Sequence, residues 1–189
     1  MEKWKTIKSE YLYNTSFGNL RKDRCQLPNG QIINDYYVQE YADWVNAVVM
    51  TKEKSIVFVE QYRHPGQRIF LEIPAGKVEE NESYEEGILR EVREETGYIS
   101  KEKPIKLGEF MVNPATQTNK IVTFLLLDAF KESGQELDET EDIEVKLIAL
   151  DAIGKMIRDQ QITQLFSVSA YYLAQDYLNN CHFRKEMNR

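Results

Sequence analysis

The sequence predicts an α/β protein, a sandwich in which buried strands form a sheet with helices on its faces. Three observations lead there. The runs WVNAVVM, SIVFVEQYR and KIVTFLLLDAF are nearly continuous in apolar residues, as strands covered on both sides are. A helix with clear start and stop signals lies before the third of these runs, and two further helical patterns follow it. Neither G-x-G-x-x-G nor G-x-x-x-x-G-K-[ST] occurs, so neither a dinucleotide-binding fold nor a P-loop is expected.

Residues 3–62 alternate and turn like a set of strands, and Pro28-Asn29-Gly30 supplies a hairpin turn that needs positive φ. Residues 1–45 read as an N-terminal strand-rich extension and residues 46–189 as the main domain. WVNAVVM and SIVFVEQYR are central strands joined by the charged corner TKEK, and the second ends at Arg63. After the loop HPGQ, the run IFLEIPAG leads into the helix. Ser83 with Glu86 three residues later forms a capping box, and Gly97 closes the helix, which should run from near Tyr84 to near Thr96. IKLGEFMV is the next strand, followed by the loop NPATQTN, the strand KIVTFLLLDAF, an acidic turn DETED and the strand IEVKLIAL. Asp151 and Thr163 then cap two helices, AIGKMIRDQ and QLFSVSAYYLAQDYL, with Leu165, Phe166, Tyr172 and Leu173 spaced to pack inward.

With 189 residues, 42% of them hydrophobic and 11% aromatic, the chain can bury one good core. A net charge of −7 argues against nucleic acid as a partner, because phosphate backbones need a basic face. No run approaches the roughly 20 apolar residues of a membrane span, and MEKWKTIKSE lacks the apolar centre of a signal peptide, so a cytoplasmic location without membrane partners is expected. Cys25 and Cys181 stand apart, with no C-x-x-C or Cys/His cluster, so neither a zinc site nor a disulfide is expected.

On the early helix, Ile88, Leu89, Val92 and Thr96 fall on one stripe at 100° per residue, with Glu91, Glu94 and Glu95 at its edge. Carboxylates crowded at the margin of a buried face repel one another, and burial raises the cost. Oxygen donors without histidine or cysteine suit a hard divalent ion, Mg²⁺ first and Mn²⁺ next. A solvated helix of ion pairs, Glu86 to Arg90 to Glu94, is the competing reading.

The wider pattern decides between them. Gly76, Glu82, Arg90-Glu91-Val92, Glu94-Glu95 and Gly97-Tyr98 stand at the spacings of the Nudix box, and the chain resembles Nudix hydrolases over about residues 18–180. Tyr98 departs from the usual aliphatic residue but is large and apolar. Gln61-Tyr62-Arg63 followed by LEIPAG resembles the ADP-ribose pyrophosphatase branch, and so does Pro114, sixteen residues past the box. The resemblance implies the α/β/α Nudix fold and metal-dependent hydrolysis of a nucleoside diphosphate sugar, ADP-ribose to AMP and ribose 5-phosphate, with GDP-mannose as the competitor. It implies metal ligands at Glu91, Glu94, Glu95 and the Ala75 carbonyl, with Arg90 orienting the carboxylates and Glu82 in an outer role. The catalytic base would come from the acidic turn, Glu139 first and Glu141 second. Arg63, Glu72, Lys77 and Pro114 would contact substrate, and the N-terminal strands would form a homodimer, with Tyr36 and Trp44 stacking on the base. Asn113-Pro114-Ala115 and Asn119 depart from that branch's glycine and glutamate, which points to a retuned pocket. A non-catalytic nucleotide-binding module of the same fold would be expected to lack box glutamates, and this chain keeps them.

Overall fold

The computed structural model describes residues 1–187, with side chains through residue 180, so the side chain of Cys181 lies outside the described residues. The chain divides into two units, one of Met1–Asp43 with Phe110–Ile121, the other of Trp44–Glu109 with Val122–Arg189.

The first unit is a three-stranded antiparallel sheet of β1 (Lys5–Thr15), β2 (Gly18–Gln26) and β3 (Ile32–Glu40), in that order. Asn29 and Gly30 lie in the β2–β3 connection as the sequence predicts, with Gly30 at φ 84° and the Asn29 side chain accepting from Gln31 N at 3.0 Å. The Pro114 loop is fastened to β3 by Gln39, whose N–H donates to Thr116 O at 2.7 Å and whose carbonyl accepts from Thr118 N at 3.1 Å.

The second unit is built on a sheet ordered β11-β5-β4-β10-β8: β11 is Ile143–Ala149, β5 Ser55–Arg63, β4 Trp44–Thr51, β10 Lys120–Lys131 and β8 Tyr98–Ile99. Three more strands pair alongside, β6 (Arg68–Glu72) on β5, β7 (Ala75–Lys77) on β4 and β9 (Ile105–Met111) on β10. Alternation along each strand sends side chains to opposite faces. Val45, Ala47, Val49, Val122, Phe124 and Leu126 pack against Ile88 and Val92 of helix α1 (Tyr84–Thr96). Val48, Ile56, Phe58 and Leu125 join a second core with Ile153 of α2 (Leu150–Arg158) and Ala170, Tyr171 and Ala174 of α3 (Leu165–Met187). Each fully buried Val, Ile, Leu or Phe contributes about 1.5–3 kcal/mol, so two such cores fix the helix-sheet-helix layering.

Helix α1 begins and ends where its capping residues dictate. Ser83 Oγ accepts from Glu86 N while the Glu86 carboxylate accepts from Ser83 N, and Gly97 closes the helix at φ 71°. Leu89 departs from its expected place. It is 38% exposed, because it lies at the rim of the stripe where the sheet no longer covers the helix. The two later caps also differ. Asp151 lies inside the first turn of α2, whose cap position is Ala149 with no side-chain bond. Thr163 Oγ1 is taken by Arg68, and Gln164 instead accepts from Ser167 N at 2.7 Å ahead of α3. Leu165 and Tyr172 are exposed, since the buried stripe of α3 runs through Ser167, Ala170, Tyr171 and Ala174.

Candidate active site

The carboxylates of α1 are brought together by one guanidinium. Arg90 Nε and Nη2 grip Glu82 at 2.9 and 3.0 Å, Nη1 donates to Glu91 at 2.9 Å and to Glu94 at 3.0 Å, and Nη2 also reaches Lys77 O at 3.1 Å. All five guanidinium N–H groups are thereby used. Glu82's hydrogen bonds and the surrounding charges raise the Arg90 pKa further above its ordinary value despite partial burial. Glu86, in contrast, is held by the capping box.

Glu95 is 5% exposed and accepts from Ala75 N at 3.1 Å, so strand β7 is tied to the last turn of the helix. Burial, then the charges of Glu91 and Glu141, push the Glu95 carboxyl up from 4.5 to about 8, against the opposing bond from Ala75. Desolvation likewise raises Glu91, opposed by Arg90. Gly76 makes the close docking of helix and strand feasible, because a Cβ there would lie 1.9 Å from the Glu91 carboxyl carbon.

These groups line a cavity of about 310 Å³ whose walls are Lys77, Glu79, Arg90, Glu91, Glu94, Glu95, Glu136, Asp138 and Glu141. Seven carboxylates face two cations there. Of the two candidate bases, Glu141 lines this cavity and Glu139 is absent from its walls. The negative charge of Glu141 helps to raise both Glu91 and Glu95, and its Oε2 accepts from Asp138 N at 3.0 Å.

Other expected contact residues fall into three groups. Lys77 is on the cavity wall, and Trp44 lies opposite it in the β4–β7 register, which makes their side chains neighbours on one face of the sheet. Arg63 and the 2%-exposed Glu72 are bonded to each other, Nη2 to Oε2 at 2.7 Å. Burial opposes the charge on Arg63, but bonding to Glu72 and the nearby charges of Glu72, Glu95 and Glu141 raise its pKa overall. Within the first unit, Tyr36 donates its hydroxyl to Ala115 O at 2.6 Å, beside Pro114 in sequence, and its ring meets Trp4 edge-on at 5.7 Å.

Whether a divalent ion fits can be judged from the donors. Glu91, Glu94 and Glu95 each commit one oxygen to Arg90 or Ala75, and they are hard oxygen donors carrying more negative charge than Arg90 offsets. Among the described residues, no three acidic, histidine or cysteine side chains converge on one point as they stand. An ion can therefore be met by the second oxygen of each once these side chains rotate, and to bind it has to displace the proton that the raised pKa of Glu91 and Glu95 favours.

A family model described as the NUDIX domain matches residues 41–166. The chain belongs to the Nudix hydrolase family. A second model, the nucleoside diphosphate sugar hydrolase N-terminal domain, matches residues 4–39. Among similar proteins is an ADP-ribose pyrophosphatase of Bacillus subtilis, 33% identical over 84% of this chain and 85% of its own length. A methanol dehydrogenase activator of Bacillus methanolicus is likewise 33% identical, over the same shares of the two chains. A crystal structure of an ADP compounds hydrolase superposes with a TM-score of 0.83 at 18% identity, covering 95% of this chain and 96% of that one, which supports the same fold. This Nudix chain is thus a hydrolase, and its helix carboxylates Glu91, Glu94 and Glu95 line a single cavity.

Three features of the site escape sequence reasoning. Glu79 and Glu136 lie on the cavity wall without a motif to mark them, and Gln135, described below, is an ordinary glutamine in an ordinary loop. In the turn DETED four carboxylates occupy five positions, and nothing in their order reveals which of them lines the cavity.

Proposed function

We propose that this Nudix hydrolase cleaves the diphosphate bond of a nucleoside diphosphate sugar, ADP-ribose foremost, giving AMP and ribose 5-phosphate with Mg²⁺ as the preferred ion and Mn²⁺ as a substitute. The observation that carries this reading is the cavity with seven carboxylates against two cations, which repels a diphosphate unless cations accompany it. The names of the relatives and of the N-terminal family model favour the substrate class.

Glu91, Glu94, Glu95 and the Ala75 carbonyl would hold the ion. A bound divalent ion supplies charge to offset the diphosphate oxygens and acidifies a water molecule. The chain does the rest. Arg90 holds Glu82 and Glu94 in register with Glu91, Lys77 offers its ammonium to a phosphate oxygen, and Glu141 takes the proton from the attacking water. Glu141 is preferred over Glu139 because it alone of the two lines the cavity. The bonded pair Arg63–Glu72, with Trp44 beside Lys77, supplies further substrate contacts. Steady-state rates with ADP-ribose, GDP-mannose, UDP-glucose, diadenosine polyphosphates and nucleoside triphosphates test the proposal. The highest kcat/KM is expected for ADP-ribose. A preference for triphosphates would overturn it. A preference for GDP-mannose would support the second reading, which rests on the buried amide Asn119 where the branch carries a carboxylate.

The same reading makes the protein a cytoplasmic homodimer joined through its N-terminal strands. Strand β1 is exposed along its length and offers Ile7, Tyr11 and Tyr13, with Phe17 of the following turn 91% exposed. The free buried thiol of Cys25 suits a reducing compartment. Among the described residues no helix is long and apolar enough to cross a membrane. Light scattering at micromolar concentration should give twice the chain mass, and a fully active monomer would refute the dimer.

A further inference from the structure

We propose that Gln135 is a positioning residue that moors the acidic turn so that Glu141 meets the cavity. The side-chain amide donates two hydrogen bonds from Nε2, to Glu95 O at 2.7 Å and to Ile143 O at 2.9 Å. Both partners are carbonyls, so the amide nitrogen has to face them and the orientation of the side chain is unambiguous. The two carbonyls belong to different elements. Glu95 O is in the last turn of α1, where helix carbonyls lack intrahelical partners, and Ile143 O opens β11, opposite Gln61 of β5.

Gln135, which precedes the segment 136–142, thus closes it at its base, tying the end of α1 to the point where the segment enters the sheet. Backbone holds both ends of the segment: Glu136 N donates to Glu94 O at 2.8 Å and Glu132 N to Gly97 O at 2.9 Å on the helix side, and Ile143 pairs with Gln61 in the sheet on the other. On the β11 side, Gln135 ties the turn back to the helix end. Inside the segment the turn closes on itself, with Glu141 N donating to Asp138 O at 3.0 Å and Asp138 N to the Glu141 carboxylate at 3.0 Å. The turn is therefore a small closed unit whose placement depends on its base. Glu95 receives an N–H from Ala75 through its carboxylate and one from Gln135 through its carbonyl, so one residue joins the carboxylate cluster to the mooring.

This inference rests on Glu141 being the base, and the experiment separates the two claims. Gln135→Leu removes both donors at similar size. It should lower kcat roughly tenfold or more, short of the ~10²-fold that a misplacement of 1 Å can cost, while KM stays within about threefold. In a cycle with Glu141→Gln, the second substitution should cost nothing further, because a residue that acts through Glu141 has nothing left to position. Losses that multiply in the double variant, a change in KM alone, or full activity in Gln135→Leu would overturn the proposal. Gln135→Asn, too short to span both carbonyls, carries the same cycle if Gln135→Leu does not fold. Amide hydrogen exchange at Glu136 and Glu141 should quicken in either variant with no change elsewhere in the sheet. If the wild type hydrolyses none of the substrates above, the functional reading fails, and the exchange rates alone decide whether Gln135 moors the turn: unchanged rates refute it.

Discussion

Two arginine clusters in this protein have nearly equal burial and opposite electrostatics. On β2, Arg21 pairs with Asp23 through two bonds, at 2.9 and 3.1 Å, and with Glu40. Asp23 is only 4% exposed, and desolvation alone would raise it, yet bonds from Arg21 and Ser9 hold its carboxyl below the ordinary value. On α1, Arg90 spends five donors and still leaves Glu91 and Glu95 above theirs. The first cluster is complete within the chain. The second lacks positive charge, and a deficit of charge at a buried site is the mark of a place that expects something from outside.

Removing charge should therefore have different consequences in the two places. The largest effect is expected for Glu141→Gln, which should lower kcat by roughly 10²–10⁴, the range for losing a general base, with substrate affinity largely kept. Glu139→Gln should cost far less, and stopped activity in Glu139→Gln beside a normal Glu141→Gln would move the role two residues back along the turn. Next comes Glu95→Gln, which should fold normally and lose at least ~10²-fold in turnover at saturating Mg²⁺, in keeping with the several kcal/mol that a metal ion supplies as a Lewis acid. Asp23→Asn should reverse that pattern, leaving turnover intact while urea midpoints reveal a loss of about 1.5–3 kcal/mol for a charged hydrogen-bonded pair.

The two clusters should also respond to pH with opposite sign when metal is withheld. Asp23 has a depressed pKa, so its contribution is present above its unfolded value of 3.8 and is lost as pH falls below that. Glu95 is raised from 4.5 to about 8, so the folded state keeps a proton that the unfolded state has released, and stability declines as pH rises across that interval. Thermal melts of the metal-free protein between pH 5 and 8 should show this decline, and Glu95→Gln should flatten it; an equal slope in the variant would remove Glu95 as its source. The smallest effect is expected at the helix start, where Ser83→Ala should cost about 1 kcal/mol through the lost cap.

Much of this architecture is legible in the sequence because it depends on neighbours in the chain. The limits of α1 follow from Ser83, Glu86 and Gly97, and the central strands from runs too apolar to be anything but covered. Long-range partners are what the sequence hides. Thr163 looks like a cap, but Arg68, 95 residues away, takes its hydroxyl, and the longer Gln164 does the capping. Leu165 and Tyr172 look inward-facing because α3 carries apolar residues all round, so spacing alone does not select a face. At the site, the box spacing identifies the carboxylates of the helix, whereas the choice between Glu139 and Glu141 needs the closed turn, and Gln135 needs the two carbonyls it joins.

The network around Arg90 also governs how the protein tolerates an empty site. An ion that draws Glu91 away removes one of five bonds and leaves the grip on Glu82 and the Lys77 carbonyl in place, so filling does not dismantle the scaffold. On emptying, the guanidinium is already positioned to quench the repulsion that the departing ion uncovers. Stripping with a chelator should then give a folded, silent enzyme that recovers when a divalent ion is returned, and cycles of depletion and supply would change its occupancy without consuming the protein.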